Sequence, residues 1–365
     1  MTDLLSVVDD VGSPVYVYDL AEIRTNQQRL RAALPAGAGL YYPLTANPHP
    51  ELLREIRVGG ALPVVCSPGE LDSALVAGWQ ARDVLYTGRA RRDADVDWAL
   101  WLGVRNFTVD SPAGLEQLSR QAAVHRGVVR CLLRVSSVAA AGADPAWILA
   151  NLGSFTNHAN AHVVGLRVPA PSDSDVDSVV ELTRKLALAL AKHGVRVEEL
   201  DFGGFAPRFA EMLAVDPGRA QVSFEVDRDL VGTAGTLVTA VLDVRQAGDR
   251  QVVVLESGVN HLGVGACEPP APTLISRPAE GELVETLLVG PTEMPLDPWT
   301  PGPLPRLRQG DLMAVPNVGA CGLTAGLVAF AATSMPVEVV VDRDDPDAAV
   351  AHVSRLSVTR YPENS

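Results

Sequence analysis

The chain has 365 residues and a formal net charge of −14, from 44 acidic side chains against 30 lysines and arginines. This balance excludes nucleic acid as the main partner, because an acidic surface offers no basic face to a phosphate backbone. The four cysteines are far apart, and one long uncharged stretch, Ala314 to Val337, is broken by prolines and glycines. With no signal-peptide pattern at the start, we expect a cytoplasmic protein with free thiols and no membrane partner.

Short β-branched runs alternate with amphipathic helical patterns from about residue 40 to 230. Eight strands are predicted, at Gly39–Leu44, Leu62–Cys66, Val84–Thr87, Asn106–Val109, Val129–Val135, His162–Val168, Glu199–Phe202 and Gln221–Phe224. Helices are predicted between most of them, at Pro50–Val58, Glu70–Ala77, Ala94–Leu102, Ala113–Arg126 and Asp175–His193. Because parallel strands need crossover helices on the outside, this alternation predicts a (β/α)8 TIM barrel, an α/β fold.

The pattern changes after about residue 240, where short strands are separated by turns rich in proline and glycine. These strands are predicted at Val252–Leu255, Leu283–Leu288, Leu312–Val315 and Val337–Val341. They indicate an antiparallel β domain. Near the start, Val15 to Tyr18 also alternates like a strand and precedes a helix predicted over Leu20–Leu34.

Several motifs follow one another in a fixed order along the chain. They are Tyr41-Tyr42-Pro43-Leu44-Thr45-Ala46-Asn47, Ser67-Pro68-Gly69-Glu70, Leu200-Asp201-Phe202-Gly203-Gly204, Phe224-Glu225-Val226-Asp227-Arg228, Gly258-Val259-Asn260-His261-Leu262, Gly290-Pro291-Thr292 and Gly310-Asp311-Leu312. In content and spacing they resemble the fold-type III pyridoxal-phosphate decarboxylases, which include the ornithine and diaminopimelate decarboxylases. The resemblance implies a barrel over residues 26–244 and a β domain over 245–365. It also implies that residues 1–25 contribute a strand to that β domain.

The resemblance locates the positions that hold pyridoxal phosphate in the family, and several of them differ here. The family's Schiff-base lysine falls on Thr45, whose hydroxyl cannot form an imine. Its ring-stacking histidine falls on Pro169. Its phosphate-binding glycine run reads Gly203-Gly204-Phe205, which places a phenyl group where backbone amides approach phosphate.

Further positions of the same cofactor site are also altered. Glu225, which pairs with the pyridinium nitrogen in the family, is retained, but Asp227 replaces a glycine before Arg228. Cys321 replaces a tyrosine that touches the phosphate. The chain has only two lysines, Lys185 and Lys192, both on one face of a predicted outer helix. We therefore expect no internal aldimine and no bound cofactor.

The resemblance further implies a homodimer in which the partner chain completes each site. The family's partner-supplied cysteine becomes Glu293, and the aspartate that follows it remains as Asp297. Together with Asp227, His261 and Cys321 these are the candidate catalytic residues. Carboxylates that share a partly dry site have pKa values that are pushed apart, so that one serves as acid and another as base. The alternatives are that Glu293 is a solvated interface residue and that His261 makes a structural hydrogen bond.

Three functions remain open. The first is a cofactor-independent acid/base enzyme of the lyase, isomerase or cyclase type, acting in secondary metabolism on a small or carrier-protein-bound substrate. The second is a non-catalytic pseudoenzyme or regulatory partner of an active decarboxylase, and the third is an enzyme that binds pyridoxal phosphate non-covalently. The acquired carboxylate of Glu293 favours the first, and Asp227 and Phe205 disfavour the third. A metal site is not expected, because the pair His158 and His162 lacks a third ligand.

Overall fold

A computed structural model describes residues 3–136, 142–169, 176–204, 220–258, 260–263, 271–292, 299–345 and 352–359. The chain divides into two compact units. One is Gln27–Asp227, and the other combines Met1–Asn26 with Arg228–Ser365. The boundary expected at residue 244 falls inside strand β10 (Gly235–Ala247), which pairs within the sheet of the second unit.

The first unit contains a closed barrel of eight parallel strands in the order β2 to β9, in which β2 pairs with both β3 and β9. The strands are β2 (Gly39–Pro43), β3 (Leu62–Val65), β4 (Leu85–Tyr86), β5 (Asn106–Val109), β6 (Val129–Arg134), β7 (Ala161–Pro169), β8 (Glu199–Gly203) and β9 (Gln221–Glu225). The predicted TIM barrel is confirmed, and each predicted strand is present with small shifts at its ends.

Helices alternate with these strands. They are α3 (Pro50–Val58), α4 (Pro68–Val76), α5 (Asp93–Leu102), α6 (Pro112–Val124), α7 (Pro145–Ala150) and α8 (Val176–Lys192), while α2 (Leu20–Ala33) contains the boundary between the units. Ser67 caps α4, because its hydroxyl accepts a hydrogen bond from the Glu70 amide at 3.2 Å. The Glu70 carboxylate in turn accepts from the Cys66 amide at 2.7 Å, so two amides at the start of the helix are satisfied.

Side chains fill the barrel interior, as they do in TIM barrels generally. One part is mostly apolar and consists of the ring of Tyr41 with Val64, Leu85, Leu132 and Val164, and Leu62 packs against them. The other part is ionisable and comes from alternate residues of β7, β8 and β9, to which the hydroxyl of Tyr41 is hydrogen-bonded. Because side chains alternate across a strand, residues two apart on β8 and on β9 face the same interior.

The second unit contains a nine-stranded sheet with the path β14-β13-β11-β10-β1-β16-β17, to which β15 and β12 are attached beside β10. Its elements are α1 (Leu4–Val11), β1 (Val15–Asp19), α9 (Arg228–Val231), β10, β11 (Arg250–Leu255), β12 (Thr273–Leu274), β13 (Leu283–Val289), β14 (Trp299–Pro305), β15 (Leu312–Val315), β16 (Val337–Val341) and β17 (His352–Arg355). The predicted β domain and the membership of the N-terminal strand are confirmed. Most pairs are antiparallel, but β1 with β16 and β11 with β13 run parallel, so the sheet is mixed.

The sheet packs apolar side chains from distant parts of the sequence. Val15 and Val17 of β1 join Val238 of β10 and alternate valines of β16, and α1 covers them with Val7. This burial explains how a five-residue strand near the start is fixed between two later ones. Across the described residues, every helix is too short or too polar to serve as a membrane span.

Candidate active site at the carboxyl ends of the barrel strands

The residues at the family's cofactor positions in the first unit lie at one rim of the barrel. Thr45 is an exposed turn residue just after β2, and Pro169 is the exposed last residue of β7. Gly203 ends β8, and Gly204 after it has a φ of +144°, a backbone conformation that other residues adopt only with strain. Glu225 ends β9. Since the carboxyl ends of parallel strands meet at the same face, these positions share the rim where TIM-barrel active sites lie.

A buried arginine links the carboxylates inside this rim. Arg167 of β7 donates from Nη1 to Asp201 Oδ2 at 2.8 Å and from Nη2 to Glu225 Oε2. Its side chain is 11% exposed, that of Glu225 is 18% exposed and that of Asp201 is fully buried. The two terminal nitrogens of one guanidinium thus bind two carboxylates, a geometry that a lysine ammonium cannot reproduce.

The hydrogen bonds continue from Asp201 toward the other end of the barrel. Ser223 Oγ lies 3.2 Å from Asp201 Oδ1 and 3.4 Å from Glu199 Oε1, and Tyr41 donates from its hydroxyl to Glu199 Oε1 at 3.2 Å. The Ser223 hydroxyl has a single proton, so it donates to one of the two carboxylates at a time. The arrangement is a connected chain of hydrogen-bonded groups. We call the members of this chain the ionisable network; they are Tyr41, Arg167, Glu199, Asp201, Ser223 and Glu225.

The network contains three carboxylates and one guanidinium, so with every carboxyl ionised it has two excess negative charges, which favours uptake of a proton. Complete burial raises the pKa of Asp201 to about 7, and the carboxylates of Glu225 and Glu199 add to the rise while Arg167 opposes it. Burial likewise raises the pKa of Glu199 and of the Tyr41 hydroxyl. Asp201 is therefore the group most suited to hold that proton near neutral pH.

Arg167 and Asp201 were not among the site residues predicted from the sequence, whereas Glu225 was. The signal was present, because Arg167 interrupts an otherwise apolar strand and Glu199 and Asp201 share one face of β8. A charge in the middle of a buried barrel strand requires an interior partner. The partner's identity depends on the register between β7, β8 and β9, in which Arg167 lies opposite Asp201.

Two more arginines have incompletely satisfied side chains in the barrel unit. Arg134 ends β6 and pairs with Asp110, while Arg91 donates to the carbonyl of Thr108 and lies 5.7 Å from the ring centroid of Phe107. Within the described ranges, the Nε atoms of both arginines are buried and have no hydrogen-bond partner. A buried donor without a partner favours binding of an acceptor.

The residues present do not fit a covalently held pyridoxal phosphate. Both lysines of the chain, Lys185 and Lys192, are exposed on α8, as expected from the sequence. Thr45 supplies only a hydroxyl at the family's lysine position. Glu225, the residue that would face a pyridinium nitrogen, is already bound by the Arg167 guanidinium.

The other candidate catalytic residues are distributed differently. His261 belongs to the second unit and is 3% exposed, with Nε2 3.0 Å from the Ser334 carbonyl and Nδ1 3.3 Å from the Ser257 hydroxyl. This favours the structural alternative for its role. Cys321 is half-buried in the same unit with a φ of +54°, and Asp227 is exposed at the end of the barrel unit, before Arg228 begins α9. Glu293, Asp297 and Phe205 lie outside the described residues.

The histidine pair of the weak metal motif does not lie on a helix. His158 is in the loop before β7, with Nε2 3.2 Å from the Ser154 carbonyl, and His162 is the second residue of that strand. In the parts of the chain that are described, no three side chains of the metal-ligating types form a cluster that could hold an ion.

The chain is similar to known proteins over nearly its whole length. It is 26% identical to the diaminopimelate decarboxylase of Methanothermobacter thermautotrophicus, over 93% of this chain and 89% of that protein. It is 23% identical to the L-glutamyl-[BtrI acyl-carrier protein] decarboxylase of Niallia circulans, over 90% of this chain and 88% of that protein. The solved structure of a Helicobacter pylori diaminopimelate decarboxylase complexed with L-lysine has a TM-score of 0.83 to it at 19% identity. That match covers 94% of this chain and 95% of the other.

A family model described as the pyridoxal binding domain of pyridoxal-dependent decarboxylases matches residues 20–258. This range includes all eight barrel strands and the ionisable network. The family resemblance drawn from the motifs is confirmed. The chain belongs to the pyridoxal-dependent decarboxylases.

Proposed function

We propose that this member of the decarboxylase family transfers protons with side chains of its own barrel, without a covalently bound pyridoxal phosphate. The reaction would be of the lyase, isomerase or cyclase type. The observation that carries the proposal is the ion pair between Arg167 and Glu225. The other terminal nitrogen of the same guanidinium binds Asp201. A resident cation at Glu225 is a substitute for a cationic ring, and it holds the Glu225 carboxylate in a fixed position at the rim.

Within this proposal Glu225 and Asp201 have different roles. Glu225 lies at the rim and is partly exposed, so it is the network member placed to exchange a proton with a substrate. Asp201 is fully buried and acts as a positioning residue, since its charge determines how strongly Arg167 holds Glu225. With a pKa raised to about 7, Asp201 changes its charge near neutral pH, and its effect on Arg167 changes with it.

The proposed substrate carries a carboxylate or a phosphate. Arg91 and Arg134 support this, because each buries an Nε atom without a partner among the described residues and guanidinium groups bind such anions well. The relative from Niallia circulans is named for an L-glutamyl group on an acyl-carrier protein. That name supports a small or carrier-bound amino acid as the substrate class here.

We also propose a homodimer, as the family resemblance implies, with Glu293 and Asp297 contributed to the partner's site. Sedimentation of the purified chain tests this, and a monomer at micromolar concentration would contradict it. A dimer that exchanges subunits with a Glu293→Gln variant would allow the shared site to be tested by mixing the two.

The cofactor part of the proposal is tested by titration with pyridoxal phosphate. The chain has only two lysines, so Lys185→Arg/Lys192→Arg gives a protein without side-chain amines. We expect this variant and the wild type to show no saturable absorbance change, and the variant to give no borohydride-trapped adduct in its mass. Saturable binding by the wild type would overturn the proposal in favour of non-covalent cofactor use.

The same variant without lysines tests whether Arg167 prevents binding of pyridoxal phosphate. Adding Thr45→Lys introduces one lysine at the family's position, and adding Arg167→His also releases Glu225 from its ion pair. We expect the variant with both changes to bind pyridoxal phosphate at least about tenfold more tightly than the variant with Thr45→Lys alone, because a free carboxylate gains a charge-assisted hydrogen bond. Equal affinities would remove Arg167 from the explanation.

A further inference from the structure

A cavity lies at the amino ends of the barrel strands, the face opposite to the rim described above. Its volume is about 460 Å³, within the range of small-molecule sites. It opens where β6, β7 and β8 begin, and the side chains around it include Arg130, His162, His193, Arg196 and Glu198. Arg167, Asp201 and Glu225 do not line it.

The charge around this cavity is opposite to that of the whole chain. Two arginines and two histidines surround it, against the single carboxylate of Glu198, whereas the chain as a whole carries a net charge of −14. Basic side chains around a concave surface concentrate anions there. The cavity is therefore a locally basic region on an acidic protein.

The basic side chains retain donors for a ligand. Arg130 donates from Nη1 to Glu198 at 2.8 Å, and both side chains are nearly half exposed, which leaves the other guanidinium donors of Arg130 open to the cavity. In the described part of the chain, the Arg196 side chain forms no ion pair and the His162 ring forms no hydrogen bond. His193 donates from Nδ1 to the Ala189 carbonyl at 3.1 Å, which holds its ring in place.

We infer that this cavity binds a small polyanion, with Arg130 and Arg196 as its main contacts. A guanidinium group from the start of β6 and another from the loop before β8 can bind the oxygens of a phosphate or a carboxylate. The imidazoles of His162 and His193 add further contacts at the same opening. Two guanidinium groups and two imidazoles around one opening, against a single carboxylate, favour a ligand with two or more negative charges.

Separate titrations with inorganic pyrophosphate and with citrate test the inference. Calorimetry on the full-length chain at low ionic strength measures the binding of either anion, and phosphorus NMR line broadening measures the binding of pyrophosphate. We expect saturable binding of one anion per chain. Preference for pyrophosphate identifies phosphate esters as the ligand class, and preference for citrate identifies polycarboxylates.

Substitutions around the cavity test whether the anion binds there. Arg130→Gln and Arg196→Gln should each weaken binding by about tenfold or more, since each removes charge-assisted hydrogen bonds. Arg184→Gln is the matched control, because Arg184 is exposed on α8 and pairs with Glu181. Thermal unfolding midpoints show that the variants fold. The inference is overturned if neither anion binds at millimolar concentration, or if both test variants bind as tightly as the control. Failure here leaves the proposed function standing, because none of these residues belongs to the ionisable network.

Discussion

The side chains inside the barrel form two groups that are stabilised in different ways. The apolar cluster around Leu85 and Leu132 needs only volume and exclusion of water, and neighbouring hydrophobic residues of similar size can substitute for one another. The ionisable network needs every partner in place, because a buried charge without its counterpart is costly. The structure of one half of the interior is therefore determined by packing, and that of the other half by the balance of charges and bound protons.

The largest expected effect comes from removing the cation of the network. Arg167→Met leaves Asp201 and Glu225 without their shared partner, and we expect a loss of about 3–5 kcal/mol in the free energy of unfolding at pH 8. Urea denaturation measures it. The matched control is Leu132→Ala in the apolar cluster, for which roughly 2–5 kcal/mol is expected at any pH.

The pH dependence distinguishes these two losses. At pH 5 the loss in Arg167→Met should shrink, because the unpaired carboxyls can take up protons, whereas the loss in Leu132→Ala should not change. Equal behaviour of the two variants across this range would mean that the network is held by packing alone, and the distinction between the two groups would be wrong.

The second prediction concerns the proton on Asp201. Its pKa in the folded chain is raised to about 7, above the roughly 3.9 of an unfolded aspartate. A raised pKa in an acid stabilises the fold fully below the unfolded value, and this contribution is lost as pH rises through about 7. The wild type should therefore lose stability relative to Asp201→Asn by up to about 1.4 kcal/mol per pH unit between pH 5 and 7.

Denaturation curves of both proteins at several pH values measure this slope. A rise in the stability of the wild type relative to Asp201→Asn over the same interval would show that Arg167 lowers the pKa of Asp201 more than burial raises it. The network would then hold its proton elsewhere.

The sequence predicts the barrel well because its signals are local. Period and capping residues locate strands such as Asn106–Val109 and helices such as Pro50–Val58 without reference to distant residues. β10 was missed, since its second half carries Asp243 and Arg245 and its register with β11 shifts at a bulge, which disrupts simple alternation.

The candidate site was only partly predictable, for a physical reason. The motifs locate Thr45 and Glu225, because each is read from its own neighbours in the chain. The pairing of Arg167 with Glu225 depends on contacts across β7, β8 and β9, and no local pattern specifies which interior carboxylates meet a given arginine. Interior charge balance is a property of the closed barrel.

The smallest expected effect tests whether the network acts as one unit. Tyr41→Phe removes one donor to Glu199, and the Ser223 hydroxyl can turn to replace it, so the loss should be only about 0.5–1.5 kcal/mol. If Ser223 turns, Asp201 loses that donor, and Tyr41→Phe and Asp201→Asn should be non-additive by at least about 0.5 kcal/mol in a double-mutant cycle. Strict additivity would mean that the hydrogen bonds act as independent pairs. In that case a proton held by Asp201 would not respond to events at Tyr41, and the network would be no more than a row of separate contacts.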